Sequence, residues 1–490
     1  MARHPKRREA VIEPVGDVRR FEMPFTAAPG RLVNPEIGLR SISLRSGEFA
    51  PYTMDVTVLD APDLRLVRAG VWLAHRVVDG RGEWYLATDR WTPWLPAERV
   101  EQMGDVDLPD VFADLVRPFR RGAALGPVAA LTCEREEFAL RGPSAELVAV
   151  FRDDQVQVRS GGVVTASYRE VTLTGVAGRL TGAQLAWLTE VLCGVGATRV
   201  EEFPPLAQRL GAPATGLSDV PEPRECRPGD SLDRVWAFRL GRRMRELTYG
   251  DLALRAETPG AHDDLAATLR DIRAQLRGFV PLIDRSWARG LTDEIDWVLD
   301  ALVATDRLDR VLNGERYLRL LDRLMSATRA PALGGHSDKA AGTALSEHFG
   351  QRLSEFLTAA DALTPESADE AWQAARTAAV ALGDSARVQI RPGEGIQRIE
   401  RRAGKLARRL GECVRGSEEY AGLDFDRLTT KEAFAEGRRM ERVFAGQHEA
   451  RVGFLQRLPR YRRELARTER PAGKRPRRTR KGRKTRQGAR

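Results

Sequence analysis

Residues 59–76, "LDAPDLRLVRAGVWLAHR", decide how the first half of this chain is read. Asp60 ends an alternating run and is followed by a Pro-Asp turn. "LRLVRAGVWL" then reads as a short strand-like run broken by Ala-Gly, closing on Leu73, Ala74, His75 and Arg76. Segments of the same kind lie on both sides: "SISLRSG", "YTMDVTVL", "GEWYLATDRW", "AELVAVFRDDQVQVRS" and "VTASYREVTLTG". Their period-two polarity, broken by Gly, Pro and Asp, predicts antiparallel strands.

The pattern changes further along. "TGAQLAWLTEVLCGVG" reads as an amphipathic helix with Thr181 as its N-cap. "APATGLSDVPEPRECRPGD" has many prolines and no sustained period, so it reads as a linker. From Ser231 to Arg467 the segments follow a 3.6-residue period, and Leu265, Leu269, Ile272, Leu276 and Phe279 mark one helix face. The expected fold class is α+β multidomain. An antiparallel β-barrel over 1–212 and a linker over 213–230 precede an all-α bundle over 231–467 and a disordered basic tail over 468–490.

The chain has 490 residues, 42% of them hydrophobic and 30% charged, with a formal net charge of +10. That excess sits at one end. Residues 471–490, "PAGKRPRRTRKGRKTRQGAR", hold ten Lys or Arg and no acid, leaving 69 basic and 69 acidic side chains elsewhere. Such a segment cannot bury enough apolar surface to offset its conformational entropy. It attracts polyanions through counterion release, but it has no aromatic residue on which bases could stack. No apolar run is long enough to span a membrane, and no apolar core follows the basic N-terminus, so neither a span nor a secretory leader is expected. The four cysteines and six histidines are dispersed, as free thiols and ordinary side chains of a reducing compartment.

"LDAPDLRLVRAGVWLAHR" resembles the segment of CYTH domains, the triphosphate tunnel proteins, in which a strand runs into a charged hairpin. The helical half, opening at "RPGDSLDRVWAFRLGRRMREL", resembles a CHAD domain; together the two likenesses cover about residues 8–460. The first resemblance implies an antiparallel barrel whose lumen binds triphosphate with basic residues and a divalent metal with carboxylates. In this chain the charges implied for that lumen are depleted. The family's Glu-x-Glu-x-Lys strand aligns with Gly16–Arg20, which retains only Arg20. Ala74, Ala87, Thr132, Cys133, Val150, Thr172 and Pro205 stand at positions the family keeps charged, whereas Asp60, Arg76, Arg135, Asp153, Asp154 and Glu170 persist. Asp60, Asp153, Asp154 and Glu170 are expected to be turn and surface acids.

The CHAD resemblance implies arginine stripes that contact inorganic polyphosphate. Here Asp263, Ala266 and Asp271 interrupt the first stripe, while Arg270, Arg273 and Arg277 form a ridge at helical spacing. The family's charged corner aligns with Thr305–Asp309, and the second stripe keeps Arg376. "RIERRAGKLARRLG" adds Arg398, Arg401, Arg402, Lys405, Arg408 and Arg409. In the tail, Lys474, Arg475, Arg477, Arg478, Arg480 and Lys481 complete the expected polyanion-binding set.

The expected function is therefore noncatalytic binding or scaffolding of polyanions, inorganic polyphosphate first and nucleic acid through the tail second. No catalytic residue and no cofactor is expected. The alternative is a residual triphosphatase using Asp60, Glu170 and Arg76, with Mg or Mn held by Asp60 and Glu170. In a third reading the vacated tunnel is plugged by apolar side chains and serves partner binding. The expected location is cytoplasmic, at polyphosphate granules or the nucleoid.

Overall fold

In the computed structural model the described residues are 15–466, apart from 29, 79, 89–90, 92–94, 103–106, 221, 223, 305–307, 391–392 and 416–427. Two compact units emerge. The first comprises the chain through Glu222 together with Met244–Thr268 and Ala301–Met325; the second comprises Pro223–Arg243, Leu269–Asp300 and the chain from Ser326.

The alternating segments form one antiparallel sheet of ten strands: β1 (Val15–Met23), β2 (Ser41–Leu44), β3 (Tyr52–Asp60), β4 (Trp72–Val78), β5 (Arg81–Ala87), β6 (Glu98–Gln102), β7 (Gly126–Arg141), β8 (Leu147–Ser160), β9 (Val163–Val176) and β10 (Thr198–Val200). The hydrogen-bonded order is β10-β1-β9-β8-β7-β3-β4-β5-β6, with β2 pairing β7 beside this path. Among the described residues no strand pair joins β6 to β10, so pairing alone does not close the expected barrel. Gly161 and Gly162 make the β8–β9 hairpin with φ of +57° and +84°. Only glycine adopts two such consecutive angles without a Cβ penalty.

Strand alternation gives the sheet two faces. On one, Phe21, Phe151, Val171 and Leu173 pack against Leu185, Leu188 and Leu192 of α4 (Gly182–Gly194). Thr181 and Gln184 cap that helix reciprocally, as the sequence indicated. On the other face, Val56, Val58, Ala74, Leu131, Cys133, Val156 and Val158 surround Leu206 of the short helix α5 (Leu206–Leu210).

One sequence expectation fails in the deciding stretch. Residues 65–68 form a helical turn, α1 (Arg65–Arg68), and the strand resumes only at Trp72. Asp60 causes this. Its fully buried carboxylate accepts the backbone N–H groups of Ala61 (2.6 Å), Leu66 (3.0 Å) and Val67 (2.9 Å), satisfying donors that a helix start leaves open.

The second unit is helical, as the periodicity indicated. The helices after α5 are α6 (Leu232–Arg255), α7 (Ala261–Phe279), α8 (Arg285–Val303), α9 (Leu308–Asn313), α10 (Glu315–Arg329), α11 (Ala341–Asp361), α12 (Asp369–Arg387), α13 (Glu394–Glu412) and α14 (Thr430–Ala466); α9 lies in the first unit, and α6, α7, α8 and α10 are divided between the two. Trp372, Leu382, Ile399, Leu406, Leu410 and Phe454 form a core of α12, α13 and α14, and the five apolar α7 residues named above are fully buried. Burial lowers the pKa of His348, whose ring bonds the Gly278 carbonyl at 2.9 Å, an ordinary structural role. No helix among the described residues is long and apolar enough to cross a membrane.

Candidate functional site

Two groups of charged side chains bear on function: a row across the sheet and a cleft among helices. The row follows from register. Glu22 lies opposite Glu170, Glu170 opposite Asp154, Asp154 opposite Arg135, and Arg135 opposite Tyr52. Directly opposed residues share a face, so β1, β9 and β8 bring three carboxylates to one level of the α5-covered face. β1 runs on to Met23 rather than ending at Arg20, which puts Glu22 in the row. Sequence alignment overlooked that carboxylate.

Each of these carboxylates is already engaged. Arg209 of α5 reaches Glu22 at 2.5 Å and Glu170 at 3.0 Å, with its guanidinium 4.1 Å from the centre of the Tyr168 ring. Arg135 holds Asp154 through two hydrogen bonds, 2.6 and 3.0 Å, and Arg152 approaches the same carboxylate at 3.2 Å. Burial pushes the Glu170 carboxyl up from its usual value, against the pull of Arg209. Farther along, Arg76 pairs with Glu83 and lies over the Tyr85 ring. The level of Cys133 and Leu131 is apolar, and burial raises the Cys133 thiol to about 11.

The expectation of turn and surface acids is therefore corrected. Asp60 caps α1 with both oxygens and belongs to no open site. Asp153 and Asp154 are buried, 3% and 5% exposed, on opposite faces of β8. Asp153 forms a two-pronged pair with Arg169, and Glu170 is half-buried against Arg209. A metal ion needs several oxygens converging on one point. Among the described residues no three His, Cys, Asp or Glu side chains do so, and the row's carboxylates are each turned to a guanidinium. The residues present do not fit a divalent ion in this arrangement.

The helical cleft has the opposite balance. Arg277 of α7, Arg285 and Arg289 of α8, Arg352 of α11 and Arg376 of α12 line about 520 Å³ of space, with Asp293 and Asp384 as the acids. Arg352 donates to the Val280 carbonyl and to Glu355, both at 2.6 Å, and Arg277 reaches Asp296 at 3.4 Å. Arg285 and Arg289 have no side-chain partner among the described residues. Burial pushes the Asp384 carboxyl up to about 6, against the opposing pull of Arg387, Arg277 and Arg273.

The sequence-derived ridge meets this cleft only at Arg277. Arg273 pairs with Asp296 of α8, and Arg270 points to solvent. On α13 the basic residues lie opposite its buried Ile399, Ala403, Leu406 and Leu410. Arg398 and Arg401 reach back to carbonyls of their own helix, Arg402 pairs with Glu464 at 3.1 Å, and Arg409 bonds the Tyr461 hydroxyl. Lys405 and Arg408 have no partner among the described residues. The tail candidates Lys474, Arg475, Arg477, Arg478, Arg480 and Lys481, and Thr305–Arg307 of the expected corner, lie outside the described residues.

No family model matches the chain. Two uncharacterized proteins of Mycobacterium tuberculosis, from strains CDC 1551/Oshkosh and H37Rv, are each 27% identical over 295 residues, covering 55% of this chain. The chain spans about half, 54%, of the length of these curated relatives. Among solved structures, PptA from Streptomyces chartreusis is 18% identical and covers 49% of this chain and 99% of its own, with a TM-score of 0.25. A Hippeastrum protein with a dominant triphosphatase activity is 12% identical, covering 40% of this chain and 98% of its own, at 0.22. A Pyrococcus horikoshii protein is also 12% identical, covering 38% and 92%, at 0.21. At TM-scores this low the likenesses carry no further conclusion.

Proposed function

We propose that this chain binds inorganic polyphosphate without cleaving it, through a CHAD-like helical region that follows a catalytically degenerate CYTH-like sheet. One observation carries the reading: five guanidinium groups face two carboxylates in the α7–α8–α11–α12 cleft, and Arg285 and Arg289 have no partner among the described residues. Guanidinium groups suit phosphate oxygens because they donate in a planar, two-pronged fork. The exposed basic residues of α13, above all Lys405 and Arg408, extend the basic surface for a long polymer. The tail supplies salt-sensitive attraction for polyphosphate or nucleic acid.

Catalysis on the sheet would require carboxylates free to hold a metal and basic groups free to grip the triphosphate. Glu22, Glu170 and Asp154 are bound to Arg209 and Arg135, and the apolar level around Leu206 fills the same face. One observation favours the second reading, a metal-dependent triphosphatase. Glu22 and Glu170 face each other across β1 and β9, and both carboxylates would be free to accept a divalent ion if Arg209 left them. Phosphate release from tripolyphosphate with Mg²⁺ or Mn²⁺ separates the two. The proposal expects no turnover above the protein-free rate. Metal-dependent turnover that disappears in Glu170→Ala would establish the second reading in its place.

A further inference from the structure

The first half of α14 is a helix whose apolar stripe outruns the core. Thr429 and Glu432 cap its start reciprocally: the Glu432 N–H donates to the Thr429 hydroxyl at 3.4 Å, and the Thr429 N–H to the Glu432 carboxylate at 2.9 Å. From Thr430 to Gly446, however, no residue is buried, and none joins the core of α12, α13 and α14. Packing of an apolar face, more than propensity, is what stabilises most helices in proteins. Further along, Phe454, Leu458, Tyr461 and Leu465 seat α14 on that core. Counting back in the same alternating steps of four and three reaches Phe444, Met440, Gly437 and Ala433. The seam that is filled in one half of the helix thus continues along the other. There Phe444 is 39% exposed, and Phe434, at the flank of the seam, is 70% exposed.

Gly437 indicates what kind of neighbour the continued seam takes. A glycine inside a helix is destabilising. A Cβ at Gly437 would meet no described atom within 4 Å, so nothing described in the chain itself requires that side chain to be missing. A second helix lying close against this face does require it. The seam is also complementary to itself in reverse. In an antiparallel pair centred between Arg438 and Arg439, Ala433 meets Phe444 and Gly437 meets Met440, small against large at both levels in a single register. A parallel pair would set Phe444 against Phe444 and leave a gap between two glycines. Residues 430–446 carry four basic and three acidic side chains, a balance that does not drive two copies apart. We propose that this half of α14 packs antiparallel against the same segment of a second copy of the chain, an isologous contact that extends the core seam. The proposal goes beyond the polyphosphate reading and stands or falls separately from it.

The test is the sedimentation-equilibrium mass of the full chain over a dilution series, in salt high enough to strip polyanions from the basic tail. The expected mass rises with concentration towards twice the 54.5 kDa of one chain. Gly437→Met fills the space that Met440 of the other copy needs, and is expected to weaken association at least tenfold. The double variant Gly437→Met/Met440→Gly exchanges the two sizes across the pair and restores it. Phe434→Glu also weakens association and, at so exposed a position, melts with the parent. The proposal is overturned if the chain keeps the mass of one copy at every concentration, or if Gly437→Met leaves the dimer intact. It is equally overturned if the exchange of sizes fails to restore association, because the antiparallel register would then be wrong.

Discussion

Carboxylates occur both in the sheet and in the helical cleft, but their company differs. On the sheet, Asp154 has Arg135 and Arg152, Asp153 has Arg169, and Glu22 and Glu170 share Arg209. In the cleft, Asp384 and Asp293 stand among five arginines, two of which make no pair among the described residues. Both regions are densely ionic. The sheet's charges are directed at one another and serve the fold, whereas the cleft retains cations that can be directed at a ligand. Pairing, more than charge content, separates a structural network from an anion site.

Breaking a pair on the sheet gives the largest expected effect. Arg169→Met strands Asp153 in a buried position, and the loss is about 3–5 kcal/mol of unfolding free energy, read from a denaturant midpoint. A cost below about 1 kcal/mol would show that the sheet's ion pairs do not hold it together. Asp60→Ala removes the acceptor of three backbone N–H groups and is expected to cost about 2–4 kcal/mol, detected as a lower melting temperature.

In the cleft the readout is affinity. Arg285→Ala/Arg289→Ala is expected to weaken polyphosphate binding by about tenfold or more, because each charge-assisted hydrogen bond contributes roughly 1.5–3 kcal/mol. Acidity sharpens the contrast. Folding raises the Asp384 pKa to about 6, so the folded protein takes up a proton there that the unfolded chain does not hold. As pH falls from 7 towards 5 that negative charge disappears from the cleft, and polyphosphate affinity measured by titration is expected to rise about threefold; Asp384→Asn removes the pH dependence. The same linkage makes this group's contribution to stability increase as pH falls through 6 towards 4. The smallest expected effect is that of Arg398→Ala on the exposed face of α13, within about 0.5 kcal/mol of parent stability.

Alternation and period were legible wherever one face was buried: the strands quoted from the sequence, the Thr181 cap and the apolar stripe of α7 all stand in the structure. The turn at Arg65–Arg68 was not, because "DLRLV" alternates like a strand and becomes helical only when Asp60, several residues away, captures its N–H groups. Glu22 escaped because a strand end is weakly encoded, and three more residues of β1 bring its carboxylate into line. Arg209 escaped because its partners lie 187 and 39 residues away in sequence, which no local pattern reports. "FRDDQVQV" did contain a clue: two acids inside an otherwise Val-rich strand must find cations on both faces, and Arg169 and Arg135 are those cations. The cleft arginines come from four helices, so their convergence depends on packing that the sequence does not spell out.

Polyphosphate titrated into protein lacking residues 471–490 tests the central claim most directly. The account predicts saturable binding that survives removal of the tail and collapses in Arg285→Ala/Arg289→Ala. Loss of all binding once the tail is removed would contradict it, and would leave the helical cleft with no part in holding the polymer.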